Sequence, residues 1–426
     1  MKNWLTIMTA SALSLAVHAK DVAIVGATVH TMGPQGSLEN ATVVMRDGKI
    51  LSVGQQAAPA GAEIIDASGK VVTPGLMGAY TSLGLVEVGL SAGTVDATVD
   101  ATPLTTAGAA LDVQYAINPD SSLIAVSRIE GVTSAATGLS RTQQLFNGQG
   151  ALISLGDDAS PVLKPRAFVR LAVDNDGADS NGGSRVALWG LLEQAFAEAS
   201  DPAVGRLTAT SEWHGWTTKA DVKVIKQLLN GDIPLLIEAK RAADIRQVLA
   251  LKARHPGLDI TLLEATEGWR VAQALAAADI AVILDPERNL PYAFDQLGAT
   301  LHNAARLHAA GVDVAIGMNT HNIRLAKQHA GNAVANGLPW EAGLAALTRV
   351  PARIYGVDDQ LGTLEAGKRA DVVIWSGDPL EVTHNAEQVF INGQAMSMES
   401  RQTRLRDRYL KLANGAGAAT SHYVRP

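Results

Sequence analysis

Between Ile233 and Gly337 the chain repeats one unit four times: a short, mostly apolar run, then a longer stretch with apolar residues three and four apart. IPLLIEAK leads into RAADIRQVLALKARH, DITLLEA into EGWRVAQALAAA, IAVILDP into FDQLGATLHNAARLHAAG, and DVAIGMN into RLAKQHAGNAVANG. Strands that lack a polar face are buried on both sides and need helices as cover, so the alternation predicts a parallel sheet wrapped by helices. The earlier runs LIAVSRIEGVTSAATG, ALISLGD and AFVRLAVD read as the second to fourth strands, after a first strand within Val71–Leu85. Eight strands with helices between them predict an α/β chain built on a (β/α)8 TIM-like barrel. RVALWGLLEQAFAEAS reads as a helix, and Thr218-x-x-Asp221 caps another that stops at Gly231.

The two ends of the chain read differently. DVAIVGATVHTM, ATVVMRDGKILSVG and AEIIDASGK are short strands and turns, with Asp47-Gly48 between two apolar runs as a hairpin signal. ADVVIW and EQVFINGQAM, with Asn392-Gly393, supply strands from the far end. The expected division is a small β-sandwich domain from residues 20–73 plus 358–398, a barrel from 74–357, and a charged helix with a tail at 399–426. Residues 86–122, rich in Thr, Ala and Gly, form a long excursion after the first barrel strand, and excursions of that length are more often functional or lid-like than inert.

The first nineteen residues, MKNWLTIMTASALSLAVHA, have one early lysine, an apolar stretch and a small-residue end at Val17-His18-Ala19. That is the build of a secretory signal peptide cleaved near Ala19, so the expectation is an exported, periplasmic protein. Its removal takes one lysine and moves the net charge from −7 to −8. A mildly acidic surface argues against nucleic acid and membrane as partners. The absence of cysteine removes disulfides, thiolate nucleophiles and Cys-ligated zinc. There is no Gly-x-Ser-x-Gly elbow, phosphate loop or HExxH.

VVTPGLMGAYTSLGL resembles the first barrel strand of the amidohydrolase superfamily, where PGL is followed by an aspartate and an HxH pair. The N-terminal run up to Gly75 is similar to the same family, and so is PWEAGLAALTRVPARIYGVDDQLGTLEAGKRADVVIWSGDPLE. The resemblance covers roughly residues 21–395. It implies a metal-dependent hydrolase with one or two ions at the C-terminal ends of the strands, where zinc lowers the pKa of bound water.

Carried over position by position, the family's ligands are missing. Gly78 stands for the first-strand aspartate, Tyr80 and Ser82 for the HxH pair, Glu238 and Glu264 for the fifth- and sixth-strand histidines, and Asn319 for the eighth-strand aspartate. Neither the fifth nor the sixth strand contains a histidine, so a shift of register does not restore the site. Two carboxylates at neighbouring strand ends can share a proton or bind a hard cation. Lys240, two residues beyond Glu238, can instead neutralise it as a satisfied ion pair.

Glu238 and Glu264 are the expected catalytic pair of an active protein. Tyr80, Ser82, Asn319, Lys240 and His321 line the binding site; His214, between Trp213 and Trp216, is a weaker ligand-lining candidate. No metal ligand and no cofactor are assigned, because the imidazoles that hold zinc in the family are absent. Two functions follow: a degenerate hydrolase serving as a small-molecule-binding protein or partner subunit, or an active hydrolase of amide or other non-peptide C–N bonds with a rearranged carboxylate site. The expected partners are a small molecule, and either a second copy or an intact amidohydrolase paired through the charged C-terminal helix.

Overall fold

A computed structural model describes residues 20–413 apart from positions 90, 92, 101, 103, 159 and 318–322. The expected signal peptide therefore lies outside the described residues, as do Asn319 and His321.

Eight strands form the barrel sheet: β1 (Leu76–Thr81), β2 (Val132–Thr137), β3 (Phe146–Ser154), β4 (Val162–Ala172), β5 (Leu235–Ala239), β6 (Ile260–Glu264), β7 (Ala281–Leu284) and β8 (Val314–Ile316). They lie in sequence order, and the Tyr80 amide donates to the Gly317 carbonyl at 2.9 Å, which joins the first strand to the segment after the last. β1, β2, β6 and β7 are buried almost throughout, as their unbroken apolar runs require.

Two elements differ from the sequence reading. LIAVSRI is not a strand: Ser121 caps a helix over Ser122–Arg128, and β2 begins only at Val132. The sheet is also not wholly parallel, because β3 runs antiparallel to both β2 and β4. The connections that flank it, residues 138–145 and 155–161, are too short for the dozen or more residues that a parallel crossover needs.

The remaining helices follow their sequence signals. Over Lys219–Asn230 the Thr218 side chain accepts from the Asp221 amide, and Gly231 closes the helix at φ 77°. The terminal strands form one eight-stranded sheet to which both chain ends contribute: Val22–His30 is bordered by Ser37–Arg46 and Val71–Pro74, and the latter pairs with Val372–Trp375. Asp47 and Gly48 take φ 48° and 77°, and Asn392 and Gly393 take 52° and 75°. These are the two left-handed residues of a tight hairpin turn that Asn-Gly and Asp-Gly favour. This sheet has its own core around Ile24, Val43, Met45 and Phe390.

Candidate functional site

The C-terminal ends of β4, β5 and β6 bring a compact set of charges together. Strand register places Arg170 opposite Leu236, Ala172 opposite Glu238, and Ala239 opposite Glu264. Side chains alternate along a strand, so Arg170 and Glu238 share one face of the sheet. The Arg170 guanidinium pairs with Glu238, donates to the carbonyls of Leu139 at 3.2 Å and Ser140 at 2.8 Å, and lies 5.6 Å from the centroid of the Tyr80 ring. The Tyr80 hydroxyl donates to the same Leu139 carbonyl at 2.7 Å. Lys240 Nζ sits 3.1 Å from Glu238 and 2.5 Å from Asp174.

Glu264 reaches this cluster by a different route. The residue across from Glu238 is Leu263, so an unbroken strand would turn Glu264 to the other face. Glu264 and Ala265 instead take φ 67° and 40°, left-handed values that two successive non-glycine residues rarely share. That turn is held by the Ala265 carbonyl, which accepts from Gly268 N at 2.7 Å and Asn303 Nδ2 at 2.9 Å. It leaves the Glu264 carboxylate 3.6 Å from Arg288, whose guanidinium stacks 5.1 Å from the Tyr292 ring.

The two carboxylates respond oppositely to one environment. Burial works to raise the pKa of Glu238, but the charges of Arg170 and Lys240 outweigh it and hold the group at about 2. Burial also raises Glu264, the negative charge of Glu238 adds to it, and the more distant Arg288 and Lys240 offset only part, leaving it at about 7. Burial together with Glu238 lifts Asp174 to about 6. Burial lifts the Tyr80 phenol to about 12. Glu238 is thus a fixed anion with two partners, while Glu264 exchanges a proton near neutrality.

Of the residues singled out in the sequence, the fold gathers Tyr80, Glu238, Lys240 and Glu264. Ser82 is buried, with its carbonyl accepting from Leu85 N at 3.1 Å. His214 is far out in solvent, 3.8 Å from Glu212, and lines no described site. Arg170, Asp174 and Arg288 were not foreseen; the signal for Arg170 was a lone arginine inside the apolar run AFVRLAVD.

Among the described residues no group of three His, Asp or Glu side chains is placed to hold a metal ion. An imidazole-type metal centre does not fit Tyr80, whose hydroxyl is already bonded, or Glu238, whose oxygens face two cations.

A profile of the amidohydrolase family matches residues 270–396. The chain is 28% identical to an imidazolonepropionase of Aromatoleum aromaticum, over 83% of this chain and 89% of that one. Its fold is similar to an amidohydrolase from Thermotoga maritima MSB8, with a TM-score of 0.79 and 24% identity over 88% and 99% of the two chains. A zinc-bound adenosine deaminase from Xanthomonas campestris shares the fold at a TM-score of 0.52 and 16% identity, over 93% and 98%.

These findings correct the sequence-based expectation of no cofactor. The relatives are amidohydrolases and one structural neighbour holds zinc, so missing imidazoles are no ground for calling the chain metal-free. The physical reason is that divalent cations also take carboxylate oxygens, so a metal site need not be built from imidazoles. Matching sequence over residues 270–396, a relative similar along most of its length and a shared barrel together support placing the chain in the amidohydrolase superfamily.

Proposed function

We propose that this chain is a non-hydrolysing member of the superfamily, exported to the periplasm, whose barrel mouth binds a small molecule and which acts as a binding protein or partner subunit. The observation that carries the reading is Arg170, a fixed cation held by Glu238, two carbonyls and the Tyr80 ring at the C-terminal ends of the barrel strands. A carboxylate held at about 2 between two cations takes up no proton at neutral pH and is not a general base. We further propose residues 20–73 with 358–398 as one domain, on the strength of their shared sheet, and 74–357 as the barrel domain.

The test is turnover by the purified mature protein on a panel of linear and cyclic amides and N-acyl amino acids, with and without added zinc or manganese. No turnover in either condition, alongside saturable binding of a panel member, is the expected result. N-terminal sequencing of the periplasmic fraction is expected to begin at Lys20.

A second reading has one observation in its favour. Glu264 has a pKa of about 7 at a buried strand end, where a base for C–N bond hydrolysis is placed to work. Turnover that Glu264→Gln abolishes, with the fold intact, would establish this reading over the first.

A further inference from the structure

Among the described residues, large apolar side chains are exposed at several places, and two of these are short clusters. Leu290, Tyr292, Phe294 and Leu297 are 74, 81, 90 and 63% exposed on the loop that follows β7, beside Asp285 and Glu287 at the barrel mouth. Leu405, Tyr409 and Leu410 are 38, 64 and 53% exposed on the helix Arg401–Ala413. Contiguous apolar surface on a soluble chain marks a place where something docks.

The helix is basic, and the loop begins with Asp285 and Glu287, which within the chain face Arg288 and His329. The C-terminal helix has five cations and one acid, with Arg401, Arg404, Arg408 and Lys411 spaced to fall along one face. Residues 20–400 hold 28 Lys and Arg against 41 Asp and Glu.

The helix starts at the opposite end of the barrel from the loop. Arg401 and Arg404 close a cleft of about 670 Å³ against Ser121, Ile124, Arg128 and Asp157, which sit before the start of β2 and after the end of the reversed β3. That is the foot of the barrel, whereas the loop after β7 stands at its mouth.

We propose that the C-terminal helix is an assembly arm that docks on the 285–297 loop of a second copy of this chain. Cations of the arm meet Asp285 and Glu287, and Leu405 and Tyr409 pack on Leu290, Tyr292 and Phe294. The arm is rooted at the end of the barrel away from the loop, and the proposed contact is therefore one between copies. An anionic lipid surface is the poorer occupant, because the acidic excess of the remaining chain is repelled by it. The contact is head-to-tail: two copies close it by exchanging arms, and otherwise it propagates. It covers Tyr292 and Arg288, and so couples assembly to access at the mouth; the contact itself does not depend on what the mouth binds.

The chain has no cysteine, which makes the test clean. Mature protein carrying Phe294→Cys is mixed with protein carrying Tyr409→Cys under mild oxidation, and cross-linked pairs of the two are counted. The expected result is a heterodimer at low salt whose yield falls about tenfold at about 0.5 M salt, and falls equally when the arm copy carries Arg404→Glu and Arg408→Glu. Sedimentation of the unaltered protein is expected to show concentration-dependent association with the same salt sensitivity. The proposal is overturned if Val382→Cys, an exposed apolar position elsewhere, cross-links to Tyr409→Cys as well as Phe294→Cys does. It is equally overturned if the unaltered protein sediments as a monomer at every concentration, or binds anionic vesicles through the arm while monomeric.

Discussion

Glu264 and Glu238 end neighbouring strands, yet a proton leaves one near pH 2 and the other near pH 7. Because the folded-state pKa of Glu264 lies above its ordinary value of 4.5, its contribution to stability is fully present below pH 4.5 and is lost as the pH rises through 7. Glu264→Gln is therefore expected to raise stability at pH 8 by about 2–3 kcal/mol and to flatten the stability profile between pH 5 and 7, as read by urea denaturation at several pH values. Arg170 is the opposite case. Arg170→Met strands the buried Glu238 charge with Lys240 as its remaining cation, and is expected to lower stability by about 3–5 kcal/mol in the same denaturation experiment. The pairing of Glu238 with Lys240 was legible from their spacing of two. The role of Arg170 was not, because an arginine in an apolar run does not say which strand it will meet.

The excursion at 86–122 gains a physical account once the direction of β3 is known. Among the described residues no helix lies between β2 and β4, so the flank of β3 needs other cover. The excursion supplies it: Val86 and Val113, with Leu85 just before them, pack with Ala151, the Ala107 carbonyl accepts from Phe146 N at 2.8 Å, and the Leu111 carbonyl accepts from Gln149 N at 2.7 Å. Its inner turn is tied to the helix at Lys219–Asn230 by the fully buried Asp221. That carboxylate accepts from Thr105 Oγ1 at 2.6 Å, Thr106 N at 3.1 Å, Ala107 N at 3.2 Å and Ala110 N at 3.0 Å. Asp221→Ala leaves these donors unsatisfied and is expected to lower stability by about 3 kcal/mol, with the amides of 105–110 losing hydrogen-exchange protection first. The sequence marks Asp221 correctly as part of a helix start, since Thr218 caps its amide at 3.1 Å. It cannot show that the side chain serves a segment more than a hundred residues earlier. Tethering of this kind also removes the lid-like reading from residues 105–110.

At the scale of the molecule, the sheet from the two chain ends and the barrel are joined through Trp375. It is fully buried, its Nε1 donates to Thr73 Oγ1 at 2.8 Å, and a methyl group built on Gly131, just before β2, would lie 2.4 Å from its ring. Trp375→Ala is expected to cost about 3–5 kcal/mol and to lower the melting of sheet and barrel together, followed by circular dichroism and near-ultraviolet signals in one scan. Gly131→Ala is expected to destabilise as well, through both that collision and its φ of 88°. The repeating strand–helix units of the second half and the two hairpin dipeptides were readable because each is a local pattern. The reversed strand was encoded as well, in connections of eight and seven residues, but a count of apolar runs does not register direction. The reversal also makes two segments interdependent. A chain whose second and third strands are joined by an ordinary helix has no bare flank to cover, whereas here the hairpin and the excursion bury each other. Shortening one without the other leaves either an unburied strand or an unanchored loop.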